Sequence, residues 1–137
     1  MIWADVARRL EAAALVEART RSWIPLNTCY AIPTRDAETA LRLAAWLNTT
    51  WCRAAAAAIA DPAMSGFARL NGRVASALPC PDSVLHDDGL LAVARSAEAG
   101  TVSQAELDER GAQLLGLTRE DADALAALAQ DRSPARR

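Results

Sequence analysis

Three arginines and an amide, Arg53, Arg69, Asn71 and Arg73, form the one group here whose residue types and spacing suit a chemical task. A guanidinium is a planar fork of donors that fits phosphate oxygens and guanine edges, and an asparagine amide fits the adenine edge. Arg69, Asn71 and Arg73 alternate with Leu70 and Gly72, which suggests an extended or looped stretch. Two readings stand on the residues alone: a nucleic-acid contact, or ordinary surface arginine between glycines.

The chemistry of autonomous catalysis is missing. The single histidine, His86, lies in the polar run Leu85-His86-Asp87-Asp88-Gly89 and reads as a solvated loop residue. With one histidine and no cysteine cluster, no transition-metal site is expected. Asp87 and Asp88 lack the alternating oxygen ligands of a calcium loop. Gly66 and Gly72 are not followed by the Lys-Ser or Lys-Thr of a phosphate loop, and the chain contains no lysine at all. Asp108-Glu109 and Glu120-Asp121 fall on helical segments and helix starts, where they serve solubility and the helix dipole. No catalytic residue, metal or cofactor site is expected in this chain.

The elements that would position the arginines follow from composition and pattern. The 137 residues carry 15 basic and 17 acidic side chains, a net charge of −2, which suits one domain and excludes an arm-type DNA binder with a large cationic excess. At 52% hydrophobic the chain is too apolar for general disorder. Much of that apolarity is alanine, which buries little area, so the core is modest. No targeting segment and no long uncharged apolar run is present, so no membrane span is expected. Cys29, Cys52 and Cys80 form no C-x-x-C pair and read as reduced, small hydrophobes of a cytoplasmic protein.

The pattern predicts an α+β, mostly helical fold. Trp3, Val6, Leu10, Ala13 and Ala14 at helical spacing predict a helix within residues 1–21. Residues 22–81 are expected to hold a short edge strand at Asn27–Ile32, bracketed by prolines, then one long alanine-rich helix from about Thr34 to Ala60, capped by Thr34 or Asp36. Within that helix Trp46 and Trp51 face about 140° apart, so at least one belongs to the core. An extended segment follows, with a short helical turn near Val74–Ala77. Residues 82–132 are expected to be helical: Asp87–Ala97, then a helix opened by the capping box at Ser103 and Glu106 and closed by Gly116. A last helix opens at Thr118 and Asp121 and carries Leu125 and Leu128. Residues 133–137 form a tail.

Four stretches occur in a recognisable order: Ile24-Pro25-Leu26-Asn27-Thr28-Cys29-Tyr30, Ala44-Ala45-Trp46-Leu47-Asn48-Thr49-Thr50, Gly66-Phe67-Ala68-Arg69-Leu70-Asn71 and Leu78-Pro79-Cys80-Pro81. Together they resemble the C-terminal target-recognition region of adenine-specific DNA methyltransferases of Type II and Type IIG restriction–modification systems. Leu107-Asp108 and Leu114-Leu115-Gly116-Leu117-Thr118 resemble that family's terminal helices. The resemblance implies recognition of double-stranded DNA. It also implies that methyl transfer from S-adenosylmethionine belongs to a separate catalytic domain or subunit, expected upstream of residue 1. Asp61-Pro62-Ala63-Met64 departs from the family's catalytic loop, and the glycine-rich cofactor turn is missing.

By position Asn48 matches the asparagine of the family's helix. It is expected to bond nearby backbone in preference to DNA. Thr49 replaces the usual serine. Arg69 matches the arginine of the family's Gly-x-x-Arg segment, near its DNA-facing side, and Arg73 stands where many relatives carry a basic residue; these two are the foremost expected DNA contacts, to phosphate before base. Asn27 and Thr28 shape the strand. The expected function is a DNA-binding target-recognition module needing a catalytic partner. The alternative is a small helical protein-interaction module with no nucleic-acid role.

Overall fold

The structure is a computed structural model that describes residues 1–16 and 27–131, with side chains to residue 127. The end of the expected N-terminal helix, the motif residues Ile24, Pro25 and Leu26, the side chain of Leu128 and the tail lie outside the described residues. The architecture is α+β and mostly helical, as expected: six α-helices accompany six short strands among the described residues.

The N-terminus departs from expectation. In place of a helix it forms three strands, β1 (Ile2–Ala4), β2 (Val6–Ala7) and β3 (Ala12–Ala13). β1 lies between β3 and β4 (Cys29–Ala31), antiparallel to both, with Trp3 opposite Ala12 on one side and Tyr30 on the other. Alanine's helix propensity is a weak prior that tertiary context overrides. Here the context is Trp3, 4% exposed, stacked on Tyr30 at 5.6 Å and donating its indole N–H to the Leu70 carbonyl at 2.6 Å. Those partners lie far along the chain and are out of reach of a local helix. β4 sits at an edge of this sheet, and Asn27-Thr28 form the turn that enters it.

The long helix is also broken in two. α1 spans Ala37–Leu47, capped by Asp36, whose carboxylate accepts from the Thr39 N–H at 2.6 Å. α2 spans Thr50–Ile59. Between them Thr49 takes extended backbone, accepts from the Cys52 N–H and donates to the Trp46 carbonyl at 2.8 Å. A threonine hydroxyl competes well for backbone groups, and that competition favours caps over helix interiors.

β5 (Asp61–Pro62) and β6 (Ala68–Arg69) form a hairpin, and β2 pairs with the other edge of β6 to give a second three-stranded sheet. α3 (Gly72–Ala77) follows, which fits the expected extended segment with a short helical turn. The helical C-terminal third also stands as expected. α4 is Asp88–Glu98, and α5 is Gln104–Leu115, with both halves of the Ser103 capping box formed and Gly116 left-handed at its end. α6 is Arg119–Asp131, opened by reciprocal Thr118–Asp121 bonds.

The core lies where α1 and α4 pack together under the first sheet. Trp46 is fully buried, in one core cluster with Leu10, Leu70, Val74, Val84 and Leu90, each at most 2% exposed. Fully burying an aliphatic side chain of this kind contributes about 1.5–3 kcal/mol, so these few large residues outweigh the many alanines.

Candidate nucleic-acid interface

The second sheet presents a charged face. Antiparallel partners directly opposite one another point to the same side. Arg69 of β6 lies between Val6 of β2 and Asp61 of β5, so these three share a face. The next position brings Arg8 over the Phe67 ring, with its guanidinium carbon 5.4 Å from the ring centroid. That is within cation–π range. Arg73, in the first turn of α3, reaches back to Asp61 at 3.1 Å. Arg69 lies 3.9 Å from Asp5. The cluster therefore holds three guanidiniums, Arg8, Arg69 and Arg73, against two carboxylates.

The Arg69 and Arg73 side chains are 57% and 64% exposed. The Arg73–Asp61 pair is exposed on both sides and is worth about 0.2–1 kcal/mol, so a phosphate can replace that carboxylate at little cost, whereas Asp5 beside Arg69 is half-buried. Between the strands of the hairpin, Ser65 and Gly66 both take left-handed backbone, with φ of 62° and 77°. A non-glycine residue held there costs roughly 1 kcal/mol. The turn is closed by the Ala63 N–H donating to the Phe67 carbonyl at 2.7 Å, and it leaves Met64 88% exposed at the tip.

The other two expected contacts are placed differently. Asn71 caps α3, its side-chain oxygen accepting from the Val74 N–H at 3.2 Å. It orients the turn that carries Arg73, and its amide oxygen is taken up by the backbone. Arg53 is separated from the others. Half-buried on α2, it donates to the Leu10 carbonyl at 3.1 Å, to Gln104 Oε1 at 2.8 Å and to Asn48 Oδ1 at 3.4 Å. Burial lowers its pKa below the ordinary guanidinium range, with nearby Arg9 adding to the effect.

Arg53 belongs to a polar junction built on the α1–α2 break. Asn48 grips β3 like a further strand: its Oδ1 accepts from the Ala12 N–H at 3.0 Å and its amide donates to the Ala12 carbonyl at 2.7 Å. This is the backbone-bonding role expected of Asn48. Asp108 of α5 takes the Thr50 N–H at 2.7 Å and the Thr50 hydroxyl at 2.6 Å. The Trp51 indole donates to the Asp108 carbonyl at 3.2 Å. Both tryptophans are thus packed inside, with Trp51 9% exposed. Gly111 lets α5 approach: a Cβ there would lie 2.9 Å from the Thr49 methyl.

Sequence reasoning missed Arg8, Phe67 and Asp5 as members of the face. A neighbouring Arg8-Arg9 pair was visible, but its place depends on β2 pairing with a strand some sixty residues away.

Elsewhere the side chains offer little chemistry. His86 is exposed at the end of a 3-10 turn, Asp82–His86. The three cysteines are free. Burial pushes the Cys52 thiol up to about 11, which keeps it protonated near neutrality. Among the described residues no group of His, Cys, Asp and Glu side chains is arranged to hold a metal ion. No described helix is long and apolar enough to cross a membrane. An open cavity of about 250 Å³, lined by Ala12, Ala44, Ala45, Ala94, Asn48 and Leu107 among others, lies where β3, α1, α4 and α5 meet. Its walls are mostly apolar, with Glu98 and Asn48 as the polar lining, and Asn48 is already engaged with Ala12. No family model, curated protein or solved structure matches this chain.

Proposed function

We propose that this chain is a DNA-binding target-recognition module of an adenine-specific DNA methyltransferase or restriction–modification enzyme, acting in the cytoplasm. Methyl transfer from S-adenosylmethionine falls to a separate catalytic domain or subunit. The observation that carries the reading is the convergence of Arg8, Arg69 and Arg73 on one face, with Arg8 over the Phe67 ring, Arg69 3.9 Å from the half-buried Asp5 and Arg73 against the exposed Asp61. Such guanidiniums exchange carboxylate for phosphate readily, and phosphate contacts make up half or more of protein–DNA hydrogen bonds. The ordered likeness of the Leu47-Asn48, Gly66–Arg69 and Leu78–Pro81 stretches to methyltransferase recognition regions supplies the enzyme class.

The test is a fluorescence titration of duplex DNA across a salt series. Neutralising two or three phosphates gives a log–log slope of about −2 to −3. Absence of binding at low salt contradicts the reading. It would favour the second one, a helical protein-interaction module, for which the alanine-lined cavity beside α1 and α4 would be the docking point.

A further inference from the structure

We infer that the DNA contact surface continues from the arginine face across the start of α3 to Tyr30, whose phenol hydroxyl donates to a phosphate beside the one held by Arg73. The inference rests on the proposed DNA-binding reading and adds to it a residue of the other sheet and an uncharged kind of contact. A run of neighbours joins Tyr30 to the arginines. One edge of its ring lies against Gly72, where a Cβ would stand 3.7 Å from the ring. Arg73 follows Gly72 directly in the first turn of α3, and its guanidinium reaches the Asp61 carboxylate at 3.1 Å. Asp61 in turn lies opposite Arg69 on the neighbouring strand.

The ring is held while its polar end is left over. It stacks on Trp3, with centroids 5.6 Å apart and planes 16° from parallel. Trp3 is itself fixed, through its indole N–H, to the carbonyl of Leu70, two residues before Gly72. Tyr30 nevertheless stays 38% exposed on an edge strand, and its hydroxyl makes no hydrogen bond among the described residues. A tyrosine packed in this way gives its apolar body to the fold and its polar tip to a partner. Phosphate oxygens only accept, and tyrosine hydroxyls are among the side-chain groups that donate to them. With two χ angles already fixed by stacking, such a contact costs little further ordering.

The experiment titrates a mixed-sequence DNA duplex with the full chain across a salt series and compares the wild type with Tyr30→Phe, which removes the hydroxyl and keeps the stacked ring. The salt slope counts charges, and a neutral donor releases no counterion. Tyr30→Phe is therefore expected to bind about tenfold more weakly at every salt concentration, the low end for a hydrogen bond to a charged group, with the wild-type slope and the wild-type Tm. Arg73→Ala, by contrast, lowers the slope by about 0.9. Unchanged affinity of Tyr30→Phe overturns the inference and leaves DNA binding standing. Weaker binding that comes with a shallower slope or a lower Tm also overturns it, since Tyr30 would then act through the placement of Arg73 or through the fold. A wild type that binds no duplex at low salt overturns both the inference and the reading beneath it.

Discussion

Arg53 and the pair Arg69 and Arg73 are the same residue type within one short stretch of sequence, and the fold uses them in opposite ways. Arg53 spends its donors inside the molecule, on a backbone carbonyl and two side-chain amides at the α1–α2 junction. Arg69 and Arg73 stand exposed at the sheet face, Arg69 near the half-buried Asp5 and Arg73 against the exposed Asp61. An arginine is available to a ligand when what holds it is weak, exposed and exchangeable. It is part of the scaffold when its removal leaves buried carbonyls bare. On the helical side Arg42 and Arg110 follow the first pattern: Arg42, 7% exposed, donates to the Asp87 carbonyl at 3.1 Å, and Arg110 clamps the Asp87 carboxylate.

The largest expected effect lies at the junction. Asn48→Ala strips both backbone groups of Ala12 of their partner and removes one acceptor of Arg53. Leaving buried polar groups unpaired costs about 1–3 kcal/mol. A loss of about 2–3 kcal/mol in urea denaturation is expected, and an unmoved midpoint would show the junction to be ornamental. Arg53→Ala should cost less, about 1–2 kcal/mol, because its exposed end reverts to water. Its DNA salt slope should equal that of the wild type. A slope reduced by about one would return Arg53 to the DNA face.

Acid sharpens the same contrast. The Arg110 guanidinium, with help from the Leu90 N–H, holds the Asp87 carboxyl below its ordinary 3.8. A depressed carboxylate contributes stability above its unfolded value, and that contribution is lost as the pH falls through the folded value. Thermal unfolding followed from pH 5 downward should therefore show a falling Tm below about 4, and Arg110→Gln should flatten that fall. Equal slopes for the two proteins would remove Asp87 as its source. The smallest expected effect is on the sheet face. Asp61→Asn frees Arg73 and removes a negative charge beside Arg69, with stability changed by less than about 0.5 kcal/mol. Duplex affinity at low salt should rise a few-fold, and a fall would place Asp61 among the DNA contacts.

How much of this was legible before folding depends on range. The Asp36 and Thr118 caps, the Ser103 capping box, the Gly116 stop and α4 rest on signals within a few residues, and all are present. The N-terminal strands were not legible, because the pull on Trp3 comes from Tyr30 and Leu70 and not from its neighbours. The break at Thr49 was hidden by helix-forming alanines on both sides, although Asn48-Thr49-Thr50 is a run of cap-forming residues. Of the candidate site, Arg69 and Arg73 were singled out from type, spacing and the family resemblance, and both side chains are exposed. Arg8 waited on the pairing of β2 with β6, and Arg53 could be set apart only once Leu10, Asn48 and Gln104 were seen around it.

The central claim, that the exposed arginines and not the buried one form the DNA contact, is tested most directly by the salt dependence of duplex binding for the wild type beside Arg69→Ala/Arg73→Ala. Each phosphate contact contributes about 0.9 to the log–log slope, so the double variant should be shallower by about 1.8 and weaker at low salt while unfolding at the wild-type midpoint. An unchanged slope, or a wild type that binds no duplex at all, contradicts it.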